Sequence, residues 1–271
     1  MNFFERIGNG WSLALLSFDI IKKNKSLLVF PALSVLSILL IILSFMIGSL
    51  ILSFGEWAPG GSIFFWLLIF YFVNSAVVIF FNMALIHCTF KILNGEQASV
   101  VEGVRFSFSR IKLVLSWALL SASVGVVLKA IERKHKILTN IVSGMFGLLW
   151  SLATFLVIPV LAYENLNVTD AIKRSAFLFN RTWGEQAGAT FSFGVIGFLV
   201  FCALGIFLGA VILPLNIPVF FILLIFSGSV IGCVMSAAET VFLAATYQYA
   251  ARIPVKGFDQ EGLKNIFSSA I

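Results

Sequence analysis

The chain has 271 residues, of which 60% are hydrophobic, 15% aromatic and only 11% charged, with a formal net charge of +6. Soluble domains carry about 25% charged residues, and a core hiding this much apolar surface without large sticky patches is not available at this length. A water-soluble globule, a collagen-like chain, a disordered chain and a disulfide scaffold are therefore excluded, and the solvent that fits is a lipid bilayer.

The first ten residues have neither a basic segment leading into an apolar one nor a small-residue cleavage site, so no cleaved signal peptide is expected. Residues 1–25 read as an N-terminal interfacial helix. Ile7, Trp11, Ala14, Phe18 and Ile21 repeat at spacings of four and three, with Arg6, Asn9, Asp19, Lys22 and Lys23 on other faces. A span needs about 20 apolar residues to cross roughly 30 Å of hydrocarbon. Span one is predicted over 27–54, and span two over 62–90 after a turn marked by Glu56 and Pro59-Gly60-Gly61. A second amphipathic stripe, Val101, Val104, Phe108 and Ile111, lies opposite Glu102, Arg105 and Ser109, and Ser99 with Glu102 has the spacing of a capping box. Span three follows over 111–130, extended by the snorkelling stems of Lys112 and Lys129, and span four covers 137–162.

A third stripe, Ile172, Ala176, Phe179 and Trp183, has Thr169 as N-cap and Lys173, Arg174 and Arg181 off the stripe. Spans five (186–212) and six (219–249) are separated by a hairpin containing Pro214 and Pro218. The tail, 251–271, offers Leu263, Ile266, Phe267 and Ala270 as a fourth stripe. The expected fold is an all-α membrane protein in one membrane domain, with six transmembrane helices and interfacial helices before spans one, three and five and at the C-terminus. The recurrence of an amphipathic helix followed by two spans near residues 5, 99 and 169 suggests three repeated units.

Arg6, Lys22, Lys23, Lys25, Lys91, Arg105, Arg110, Lys112, Lys173, Arg174, Arg181, Arg252, Lys256 and Lys264 lie on the side of the termini. Of the 18 Lys and Arg residues, only Lys129, Arg133, Lys134 and Lys136 lie on the other. This bias predicts a multi-pass protein with both termini in the cytoplasm. It also makes Lys22, Lys23, Arg105, Arg110, Lys173, Arg174 and Arg181 candidates for anionic lipid headgroups. The basic charge is no sign of nucleic-acid binding, for which no motif is present.

Polar groups inside spans are the places to seek function. Asn74 and Asn82 lie eight apart near one face of span two, and Glu239 with Thr240 lies within span six. They read either as interhelical hydrogen-bonding groups or as the lining of a polar route. His87 reads as an interfacial histidine bonded to a neighbour, and Glu185 with Arg181 as an interfacial ion pair. Gly205 with Gly209, and Gly228 with Gly232 and Ser236, let helix backbones approach within the chain, or between copies through span six. Cys88, Cys202 and Cys233 lie in apolar runs with no metal-ligand spacing and read as core hydrophobes. No Walker A, GxSxG or HExxH sequence and no paired catalytic carboxylates are present, so no enzyme activity, cofactor or metal is expected.

Several stretches carry a family resemblance. They are Gly10-Trp11-Ser12-Leu13-Ala14 leading to Lys25-Ser-Leu-Leu-Val-Phe-Pro31, Phe80-Phe81-Asn82, Trp117-Ala118-Leu119-Leu120-Ser121-Ala122, Trp150-Ser151-Leu152-Ala153-Thr154-Phe155 with Pro159, Ala171-Ile172-Lys173-Arg174-Ser175 with Thr182-Trp183-Gly184-Glu185-Gln186, and Tyr247-Gln248-Tyr249-Ala250. With them the chain resembles an uncharacterised prokaryotic integral-membrane family, one of the domain-of-unknown-function families. The resemblance implies a bacterial inner-membrane protein and brings no activity or ligand. Two functions are expected from the residues. One is a channel or small transporter with Asn74, Asn82 and Glu239 along a polar route. The other is a non-transporting scaffold holding lipid or membrane-protein partners through basic interfacial helices.

Overall fold

A computed structural model describes residues 14–53, 62–132, 138–212 and 217–253. The predicted positions Ile7 and Trp11, the three hairpin turns and the tail stripe lie outside the described residues, as do the side chains of 181–191, including Arg181, Trp183 and Glu185. Every described element is a helix: α1 (14–23), a 3-10 turn Lys25–Leu28, α2 Val29–Ser53, α3 Ser62–Leu93, α4 Val100–Ser109, α5 Ile111–Glu132, α6 Leu138–Thr154, α7 Val157–Tyr163, α8 Val168–Val211 and α9 Ile217–Ala250. Six stretches are long and apolar enough to cross a membrane, Lys25–Gly48, Leu68–Leu93, Ile111–Leu128, Gly144–Tyr163, Ser192–Val211 and Ile217–Ala250. The chain is an all-α, multi-pass membrane protein.

Two elements differ from their sequence reading. Span four breaks at Phe155–Leu156, because Pro159 lacks the N–H that would bond the Phe155 carbonyl and its ring crowds that group. The third amphipathic helix is no separate element. With no proline between Val168 and Val211, it runs on into span five as one 44-residue helix. The start of that helix is capped by Asn167, whose Oδ1 accepts from the Asp170 N–H at 2.9 Å and from Thr169 Oγ1 at 2.8 Å. α4 begins directly after Ser99, as the capping box requires, and turns Val101 and Phe108 outward, as an interfacial helix does. Val101 is 68% exposed and Phe108 60%, while the small residues Gly103 and Ser107 are buried. Ser107 Oγ donates to the Phe80 carbonyl at 2.9 Å, a close approach that only a small-residue face permits.

The contacts divide the chain into two compact units. The first comprises Met1–Ala32, Cys88–Val100 and Arg181–Ile271. Here Phe193 meets Phe18 at 5.8 Å and Phe242 at 5.9 Å, both edge to face, and Phe90 meets Tyr247 at 5.8 Å. α8 and α9 pack through glycines: Gly228 faces the Phe201 ring, Gly205 faces Leu224 and Gly209 faces Phe220, whereas Gly232 has open space beside it. α3 ends in a left-handed Gly95 (φ 80°), with Glu96 N–H donating to the Lys91 carbonyl and Gly95 N–H to that of Ile92. α9 ends the same way with Arg252 (φ 57°) in the glycine position. The second unit comprises Leu33–His87 and Val101–Asn180. It is tied by the Trp117–Trp150 stack at 5.9 Å, Phe45 on Phe70 at 5.0 Å and Phe80 on Phe108 at 4.8 Å.

Burial is uneven along the helices. Residues 194–211 and 217–236 contain no buried side chain, whereas Ala237, Ala238, Thr240, Val241 and Phe242 are all buried. On α3 the dense burial begins at Met83, about 20 residues from Ser62, and on the fourth span it begins at Leu156. About 20 residues cross the hydrocarbon at 1.5 Å each, so the enclosed parts of these helices lie at their Lys/Arg-rich ends.

Replacing Ser175 by Ala tests the break in span four. Ser175 Oγ accepts the buried Leu156 N–H at 2.9 Å, and leaving that donor unpaired should cost about 1–3 kcal/mol, seen as a lower thermal midpoint in lipid discs. An unchanged midpoint would overturn the assignment. Gly95→Ala should also lower the midpoint, by about 1–2 kcal/mol, since its φ disfavours a Cβ.

Candidate functional site

The short helix α7 ends in three consecutive polar residues, each engaging a different element of the second unit. Tyr163 OH lies 3.2 Å from His87 Nδ1 on α3. The His87 ring stacks on Phe106 of α4 at 4.1 Å and 7°, and Phe106 in turn stands 5.9 Å from Tyr163. Glu164, in extended backbone after the helix, accepts from Arg174 Nε of α8 at 2.9 and 3.0 Å. Asn165 Oδ1 accepts from Nη1 of Arg110, the residue between α4 and α5, at 3.1 Å. One turn of chain thus gathers two guanidinium groups, a carboxylate, a carboxamide, a phenol and an imidazole.

Position in the chain explains the convergence. Arg110 caps the turn from α4 into α5, its N–H donating to the Phe106 and Ser107 carbonyls at 3.3 and 3.1 Å. Ser175 and Arg174, adjacent on α8, hold the two ends of α7 through Leu156 and Glu164. The Glu164–Arg174 pair is partly screened from solvent, with side chains 24% and 35% exposed. The Arg174 guanidinium lies 5.8 Å from the Phe177 ring centroid. Lys173 pairs with Asp170 at 3.4 Å in the open, its side chain 80% exposed.

Of the cations expected at headgroups, Lys22 and Lys23 are exposed in the first unit and Arg105 and Lys173 in the second, while Arg110 and Arg174 are engaged as described. Asn74 Nδ2 donates to the Phe70 carbonyl at 2.8 Å and Thr240 Oγ1 to that of Ser236 at 2.8 Å, each within its own helix. Asn82 is half-buried and Glu239 exposed, and neither has a hydrogen-bond or ion-pair partner among the described residues. Asn74 and Asn82 belong to the second unit, Glu239 and Thr240 to the first. Glu239 stands 22 residues beyond Ile217, about 33 Å along the helix axis.

Sequence reasoning passed over Tyr163, Glu164 and Asn165, although a polar triplet at the end of an apolar run was a visible signal. It also passed over Thr246 and Gln248, which are wholly buried in the first unit, with Thr246 Oγ1 and both amide atoms of Gln248 unpaired among the described residues. His87 matches its reading as a histidine bonded to a neighbour.

Residues 62–257 match a family of unknown function (DUF6159). No curated protein and no solved structure matches the chain.

A double-mutant cycle of Glu164→Gln and Arg174→Gln should give a coupling of about 0.2–1 kcal/mol, the range for pairs open to solvent, read from the thermal midpoints of the four proteins. Zero coupling would mean that the pair does not hold the corner.

Proposed function

We infer the role of this chain, which belongs to the DUF6159 family of unknown function, from its own residues. It is a membrane protein of the bacterial inner membrane that binds and organises anionic lipid at the cytoplasmic leaflet. The observation that carries this reading is the outward face of the amphipathic helices in the second unit. On α4, Arg105 is exposed beside Val101 and Phe108, and at the start of α8 Lys173 is exposed one turn from Phe177. An exposed apolar side chain one turn from an exposed cation suits the headgroup boundary, where the ring enters the acyl region and the cation meets phosphate. The Lys/Arg bias supports the orientation. The same reading involves no catalytic step, cofactor or metal.

Each cation near an anionic surface contributes about 1 kcal/mol. Arg105→Gln with Lys173→Gln should therefore lower, several-fold, the enrichment of phosphatidylglycerol over phosphatidylcholine around the protein in mixed-lipid discs. Equal enrichment in wild type and variant would sink the reading.

A second reading, a channel or small transporter, is favoured by the unpartnered Asn82 and Glu239 on the spans. It predicts ion or solute flux in proteoliposomes that falls with Glu239→Gln. Flux no greater than in empty liposomes across K⁺, Na⁺, Cl⁻ and H⁺ gradients would remove its ion-channel version.

A further inference from the structure

We propose that the corner between α7 and α8 is a seat for the phosphodiester of one lipid headgroup, formed by the guanidinium groups of Arg110 and Arg174. This deepens the lipid reading above and rests on it. Each guanidinium is held by a single nitrogen. Arg174 spends Nε on Glu164, and Arg110 spends Nη1 on Asn165. Among the described residues, the two terminal amino groups of Arg174 and the Nε and Nη2 of Arg110 have no partner. Because Glu164 and Asn165 are consecutive, the two forks are anchored on one short stretch of chain, which turns at Asn165 as the Leu166 N–H donates to the Glu164 carbonyl at 2.8 Å. Unspent N–H donors on two anchored, planar guanidiniums match the oxygens of a tetrahedral oxyanion.

Charge and depth define the ligand. Glu164 is paired with Arg174 and Asp170 with Lys173, which leaves the charge of Arg110 unbalanced in this group. One unbalanced positive charge complements a phosphodiester monoanion. Arg110 stands directly before the span Ile111–Leu128, and Glu164 directly after the span Gly144–Tyr163. Both anchors of the corner thus lie where a span leaves the hydrocarbon, which is the level of the phosphates. Phe177, 52% exposed and beside Arg174, offers apolar surface to the chain-bearing side of the same molecule. A free phosphate shares the oxyanion chemistry and makes no use of that ring.

The test uses the full chain in phosphatidylcholine discs, titrated with phosphatidylglycerol and read by native mass spectrometry of retained lipid. Wild type should keep one phosphatidylglycerol that resists exchange. Arg110→Gln with Arg174→Gln should hold it at least about tenfold more weakly, as should Arg110→Lys with Arg174→Lys, which keeps the charge and removes the fork. Lys25→Gln, at an exposed cation of the first unit, should retain it. The Lys variant serves if the Gln variant does not fold. Full retention by the folded Arg variants would overturn the seat while leaving the broader lipid reading standing, and no preference for phosphatidylglycerol in wild type would overturn both. Inorganic phosphate that displaced the lipid at millimolar concentration would assign the seat to free phosphate and overturn the lipid version.

Discussion

The hydrogen bond from the Leu156 N–H to Ser175 Oγ is the interaction on which the polar end of the second unit depends. Inside a bilayer a helix cannot leave backbone groups unpaired, because no water is there to take them. Pro159 interrupts the ladder in the fourth span, and Leu156 is wholly buried at the interruption. With Ser175 accepting that N–H, the chain can stop one helix, start another and change course. The seven residues of α7 then bring Tyr163, Glu164 and Asn165 to His87, Arg174 and Arg110.

Two solvents shape the rest. Toward the hairpins, α8 and α9 show side chains such as Phe198, Ile206, Phe221 and Ile225 to the surroundings and enclose almost nothing. Lipid is as apolar as these side chains, so burying them against protein gains little. At their other ends α8 and α9 enclose Phe193 and Tyr247 within the first unit, and the second unit encloses Leu161 and Leu178. Phe108 on α4 and Phe177 at the start of α8 are exposed beside cations, as rings at a headgroup boundary are.

Much of this was legible in the chain itself. Runs free of charge, each about 20 residues or longer, marked the six spans, since that length is dictated by bilayer thickness. Pro159 announced a break, yet its partner Ser175 lies 19 residues away, and nothing local tells which hydroxyl will answer. The amphipathic pattern of α4 marked Val101 and Phe108 as one face, but it did not tell that small Gly103 and Ser107 would turn inward for close backbone approach. The charges around Arg181 and Glu185 suggested a division before span five, but charge alone does not stop a helix, and no proline did. Tyr163, Glu164 and Asn165 stayed hidden as a site because their meaning comes entirely from partners on three other elements.

The uneven burial also sets the order in which the molecule comes apart. Regions with few enclosed side chains open at the lowest free energy, so the hairpin ends of α8 and α9 loosen first when lipid is stripped away. The Lys/Arg-rich ends, with their aromatic contacts and paired side chains, hold longest. Solubilisation therefore erodes the first unit from the hairpin ends of α8 and α9, while the corner around Glu164 rests on contacts within the second unit.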